Sequence, residues 1–283
     1  MMQFGVNTWV WVSPLGDADI ARLVPHVAGM GFDAIEFPIE IPDGYDYQAA
    51  GELARAAGLR VSVAAAMGPD RDLIHPDAAI RANGAAYVRH CIAAAAAIGA
   101  PTLMGPMYSA VGRTWQMTAA ERERDTAILV DALRDLAEYA HEHGVTLALE
   151  PLNRFETSFL NTAQQMIAVV DRVDHPACGM MLDTFHMNIE EQSAAAAIAA
   201  AGARLKHFHA CENDRGTPGA GSVQWAAVRD ALHAIGYDRS VVIESFTDQV
   251  QSIARAAAIW RPLAASQDDL ARDGLRFLKQ LFA

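Results

Sequence analysis

The chain has 283 residues, 52% hydrophobic and 20% charged, which excludes a disordered or fibrous polypeptide and supplies enough apolar mass for a large core. Its 22 Lys and Arg against 34 Asp and Glu give a formal net charge of −12, which excludes nucleic acid as a partner because that backbone is held by clustered cations. No apolar run is long enough to span a bilayer, no basic-then-apolar leader opens the chain, and Cys91, Cys178 and Cys211 form no CxxC pair. The expectation is a reduced, cytoplasmic protein with no membrane partner and with its thiols in or near the core.

Short β-type runs alternate with longer helical ones from end to end. A strand at Gln3–Thr8 precedes a helix at Asp17–Met30, and a strand at Ala34–Phe37 precedes a helix at Gln48–Ala57. Strands at Arg60–Ala64 and Thr102–Gly105 lead into helices at Pro76–Ile98 and Ala119–His143. The second half repeats the pattern, with strands at Thr146–Glu150, Gly179–Asp183, Leu205–His209 and Val241–Glu244. Its helices are Thr162–Val173, Ala194–Ala201 and Trp225–Ile235, with two more closing the chain at about Gln251–Trp260 and Asp268–Leu281. Helical runs end in Gly31, Gly58, Gly99, Gly144 and Gly236, where a left-handed residue past the last turn is wanted. Strict alternation implies a parallel sheet with helical crossovers, and eight repeats point to a single (β/α)8 TIM barrel over residues 1–283. No phosphate-cradling glycine motif follows the first strand, so the open nucleotide-binding sheet loses its main support.

The chemistry collects where strands finish. The last residues of strands five to eight are Glu150, Asp183, His209 and Glu244, one βα unit apart. Taken singly, each carboxylate reads as a solvated loop residue or a helix N-cap. Four in succession bring three carboxylates and one imidazole to one rim, which needs a cation to hold them together. That donor set suits Mn²⁺, with Co²⁺ or Mg²⁺ as alternatives, one ion per chain. His207 shares a strand face with His209 and reads as a barrel-interior neighbour, while the seven histidines at 26, 75, 90, 141, 143, 175 and 233 read as surface or capping groups. Trp9, Trp11, Tyr108 and Trp115 sit on early loops, where sugar stacking and core packing are both open.

The flanking segments LEPLNRFET, LDTFHMNIEE, HFHACENDRGTPG and VVIESF resemble those of the xylose-isomerase-like sugar isomerase/epimerase superfamily, within it the D-tagatose/D-allulose (psicose) 3-epimerases. The resemblance runs from about Val145 to Phe246 and is weaker before it. It implies epimerisation of a free ketose at C3 through a metal-chelated enediolate. Glu150, Asp183, His209 and Glu244 would hold the metal, and Glu150 and Glu244 would exchange the C3 proton from opposite sides. Glu156, His186 and Arg215 would bind the O1–O3 end of the sugar. It also implies a homodimer or homotetramer. Two departures are Ser222, where many relatives place a His, and Asn7-Thr8-Trp9, where several have a more aromatic start. The nearest rival is an aldose–ketose or hydroxypyruvate isomerase on the same barrel; an inosose dehydratase and a non-catalytic sugar sensor stand further off. An endonuclease IV-like phosphodiesterase would need more His and Asp ligands and a basic face.

Overall fold

The computed structural model describes residues 2–283. Eight parallel strands close into a barrel in chain order: β1 Gln3–Asn7, β2 Ala34–Pro38, β3 Arg60–Ala64, β4 Thr102–Gly105, β5 Thr146–Leu149, β6 Cys178–Asp183, β7 Leu205–Ala210 and β8 Ser240–Ile243. Helices α1 Asp17–Met30, α2 Tyr47–Ala56, α3 Ala78–Ile98, α4 Ala119–Glu142 and α5 Ala163–Val173 follow the first five strands. Then come α6 Thr184–Glu190, α7 Ala194–Ala201, α8 Trp225–Ala234, α9 Gln251–Ala256 and α10 Gln267–Leu281. Among the described residues, no helix is long and apolar enough to cross a membrane.

The helix-ending glycines act where expected. Gly31 and Gly99 close α1 and α3 in the left-handed conformation. Thr118 with Glu121, and Thr162 with Gln165, form reciprocal capping boxes that start α4 and α5. Two expectations need correction. The segment after Asp183, given no element in the sequence pattern, is helix α6, because Asp183 Oδ1 accepts the Phe185 N–H at 2.7 Å and starts a helical turn at once. The helix expected to reach Trp260 ends at Ala256, and Ala258 then takes a positive φ of 56°.

Strand alternation divides the interior in two. Outward-facing Val6, Ile35, Val63, Leu147, Phe208 and Val241 join the large cluster between barrel and helices. Their inward neighbours Ala64, Met104, Ala148 and Met181 form a second cluster with Trp9 and Phe246. Inward positions also carry polar groups: Asn7, Glu36 and Ser62 stand side by side in register on β1, β2 and β3.

Candidate metal centre and substrate pocket

Parity assembles the site. The candidate ligands each follow an inward residue by two: Ala148 before Glu150, Met181 before Asp183, His207 before His209, Val242 before Glu244. Glu150 and Glu244 lie one residue past β5 and β8, Asp183 ends β6, and His209 is the penultimate residue of β7. Gly105 seats the first of them. Its φ is 125°, a Cβ there would lie 2.2 Å from the Ala65 carbonyl oxygen, and its own carbonyl accepts the Glu150 N–H at 3.1 Å. Only glycine permits that approach.

The ligand-type atoms of Glu150, Asp183 and His209 lie within 4.8 Å of one another, and those of Asp183, Cys211 and Glu244 form a second such group. Glu244 joins the first group through His209: its Oε1 is 3.4 Å from Nδ1, and Asp183 Oδ2 is 3.9 Å from the same nitrogen. Glu150 Oε1, Asp183 Oδ2 and His209 Nδ1 are buried without a hydrogen-bond partner. Orphaned polar atoms of this kind carry a desolvation cost, and converging ones are relieved together by a single cation. The residues present therefore suit a divalent ion. Asp183 accommodates both readings made of it, since one oxygen caps α6 and the other is left free.

Electrostatics tell the same story. Burial, then the Glu244 charge, lifts the Glu150 carboxyl well above its ordinary range and Asp183 to about 7. Burial opposes ionisation at Glu244 as well, but His209 and Arg215 outweigh it and hold that carboxyl at about 2. Burial also disfavours charge on His209, yet Glu36 and Glu244 raise it well above the ordinary imidazole value.

Glu36 is the functional-site residue that sequence reasoning missed. It is fully buried, accepts Asn7 Nδ2–H at 2.8 Å and Ser62 Oγ–H at 2.6 Å, and lies 2.8 Å from His209 Nε2. Fixing the proton on Nε2 leaves Nδ1 to face Asp183 and Glu244. Burial raises the Glu36 carboxyl, but His209 and His207 overcome it and keep it well below its usual range. The available signal was a lone charge in the apolar run Ala34-Ile35-Glu36-Phe37.

The three residues expected to bind sugar line the same small cavity, of about 120 Å³, as Glu150 and Glu244. Arg215 donates to Glu244 Oε2 at 2.9 Å and to Glu156 Oε1 at 3.1 Å, and it lies between the Phe185 and Phe246 rings at 4.1 and 4.7 Å. Its backbone has a φ of 62°, and its carbonyl accepts the Ser245 hydroxyl at 2.7 Å. Glu212 shapes the same loop by accepting the Gly219 and Val223 N–H groups and Trp225 Nε1–H, each at 2.9 Å. Asn153 ties Glu156 to His186, donating to Glu156 Oε1 at 2.9 Å while its backbone N–H meets His186 Nδ1 at 3.1 Å. His186 Nε2 points to Glu150 Oε1 at 3.6 Å, and burial lowers this imidazole to about 4, so it is neutral.

Of the four early aromatics, Trp9 lines the cavity, tilted against Phe246 at 5.5 Å. Trp11 is tied to Asp268, Tyr108 is buried against Phe159, and Trp115 lies exposed beside Arg113. Ser222 is exposed, outside the cavity. The cavity's remaining wall includes Ile253 and Ala256 of α9.

The sequence matches the family model of the xylose isomerase-like TIM barrel over residues 24–281. It is 31% identical over 283 residues to an L-ribulose 3-epimerase of Methylomonas sp. (strain DH-1), covering 99% of this chain and 98% of that protein. It is 34% identical over 271 residues to a D-psicose 3-epimerase of Ruminiclostridium cellulolyticum, covering 95% and 92%. The crystal structure of D-allulose 3-epimerase from Methylomonas sp. in complex with D-allulose superposes with a TM-score of 0.92 at 32% identity, covering 99% of this chain and 96% of that one. The chain belongs to the ketose 3-epimerase family of xylose isomerase-like barrels and is an isomerase-class enzyme.

Proposed function

We propose that this enzyme epimerises free ketoses at C3, with substrates of the D-tagatose, D-fructose/D-allulose or L-ribulose class, and that it depends on one divalent cation per chain. The observation that carries this reading is the meeting of Glu150, Asp183, His209 and Glu244, the first three with unpartnered buried atoms, beside a cavity that Glu150 and Glu244 line. The relatives' names support the choice of ketose and of C3.

A bound Mn²⁺, Co²⁺ or Mg²⁺ would supply Lewis-acid polarisation of the ketose carbonyl, which acidifies the neighbouring C–H. Glu150, Asp183, His209 and Glu244 would hold it. Glu150 and Glu244 do the proton work: one carboxylate takes the C3 proton from one face and the other, protonated, returns a proton to the opposite face. In the metal-free protein burial and the Glu244 charge favour the neutral Glu150 acid, while His209 and Arg215 favour the Glu244 carboxylate, so the two carboxyls differ before any cation binds. The pair exchanges roles in the reverse direction. Arg215, Glu156 and neutral His186 orient the O1–O3 end by hydrogen bonds, and Trp9, Phe246 and Ile253 shield the sugar tail from water. Phe155 and Trp260, each 74% exposed, supply apolar surface for the contact between copies in a homodimer or homotetramer.

Dialysis against a chelator should abolish ketose turnover, and added Mn²⁺ should restore it. Full turnover by protein verified to contain no metal would contradict the proposal.

A further inference from the structure

The opposite mouth of the barrel, where the strands begin, holds a cavity of about 500 Å³ that plays no part in the chemistry above. Its rim carries Arg55 from the last turn of α2, Arg60 at the start of β3, Lys206 near the start of β7 and Arg239 just before β8. Asp238 is the one acid lining it. Four of the chain's 22 cationic residues therefore gather at one mouth of a protein with a net charge of −12. Most of the chain's other arginines pair with carboxylates, as Arg204 does with Asp171 and Arg272 with Asp269, whereas none of these four takes part in a salt bridge among the described residues. Lys206 Nζ donates to the Ala203 carbonyl at 2.8 Å, and burial, followed by the nearby Arg239 charge, lowers its pKa. Four cations thus share this mouth with a single carboxylate, Asp238, and none is paired with it among the described residues.

The floor is fixed rather than soft. Ser62 and His207 line it, and both rest on buried Glu36: Ser62 Oγ donates to Glu36 Oε2 at 2.6 Å, and His207 Nε2 lies 2.8 Å from that same oxygen. His207 is 2% exposed and its Nε2 is out of line for a hydrogen bond. Thr102 and Ser240 add hydroxyls to the wall. Guanidinium forks match phosphate oxygens two at a time, and a wall of hydroxyls suits the polar body to which a phosphate is attached. The volume exceeds what a bare phosphate needs.

We propose that this mouth is a second ligand site, specific for a small phosphorylated metabolite of sugar-phosphate size, with Arg60 and Arg239 as the principal phosphate ligands and Arg55 and Lys206 supporting them. It is separate from the ketose cavity and needs no turnover there.

The test is calorimetric titration of the metal-loaded enzyme with D-fructose 6-phosphate and, separately, with inorganic phosphate. Saturable binding of one equivalent is expected, tighter for the sugar phosphate. An Arg60→Ser/Arg239→Ser double variant should weaken it at least about tenfold, the loss expected from removing charged hydrogen bonds, while ketose turnover stays at the wild-type level. Arg55→Ser alone, a solvent-facing change, should weaken binding less and guards against a double variant that fails to fold. Tighter binding of inorganic phosphate than of the sugar phosphate would mean an adventitious ion only. Binding that survives all the substitutions would place the ligand elsewhere, and no saturation up to about 10 mM would leave no site; each of these overturns the proposal.

Discussion

Replacing Glu36 by Gln probes the link between the barrel interior and the candidate metal centre. The carboxylate accepts Asn7 at 2.8 Å, Ser62 at 2.6 Å and His209 Nε2 at 2.8 Å, with no exposure to solvent. Gln keeps one oxygen for Asn7 and His209, and its amide turns to Ser62, whose hydroxyl can rotate to accept, and to His207 Nε2, which lies 2.8 Å from the atom replaced and can accept when unprotonated. What is lost is the charge behind His209. A charge-assisted bond is about twice as strong as a neutral one, so the change amounts to roughly 1–1.5 kcal/mol, or about tenfold in metal affinity. Glu36→Ala goes further and strands the Asn7 and His209 donors, at about 1–3 kcal/mol each. Metal dissociation constants from chelator competition give the readout, with melting curves of the metal-free proteins showing that the Gln variant is folded. A folded Glu36→Gln protein that binds metal as tightly as the wild type would refute the argument that this carboxylate orients and strengthens His209.

Two further predictions rest on the same geometry. Because Asp183 is raised to about 7, its proton adds stability to the metal-free fold at low pH that is lost as pH rises through about 7, and a cation must displace that proton. The rise in melting temperature on adding Mn²⁺ should therefore grow from pH 6 to pH 8; a pH-independent increment would show that Asp183 is not a ligand. His186→Ala should keep metal content near wild type while lowering kcat/KM by roughly 10²-fold, and Arg215→Ala, which removes the bonds to Glu156 and Glu244, should do the same. Loss of metal from either variant would move that residue into the coordination sphere.

Much of this protein can be read directly from its residues, and the boundary is physical. All eight strands lie where short apolar runs predict them, because a strand buried on both faces has little else it can be. Period-two alternation then places Glu150, Asp183, His209 and Glu244 on the inward side with no further information. Glu36 escaped notice because one charge in an apolar strand acquires meaning only when β7 is folded against it, 173 residues away in sequence. Helix α6 was hidden for a related reason, since Asp183 carries both a cap and a free oxygen and only the cap starts a helix. The roles of Trp11 and Tyr108 depended on partners at Asp268 and Phe159, which no local pattern announces.

The central claim, that Glu150 and Glu244 pass a proton across C3 of a ketose, is tested most directly by following product and isotope together. The enzyme, loaded with Mn²⁺, is incubated in heavy water with D-fructose, D-tagatose or L-ribulose, and the products are identified by NMR. The predicted result is a ketose inverted at C3 that carries deuterium at C3. An aldose as the main product, with label at C1 or C2 and no C3 epimer from any of the three sugars, would contradict it.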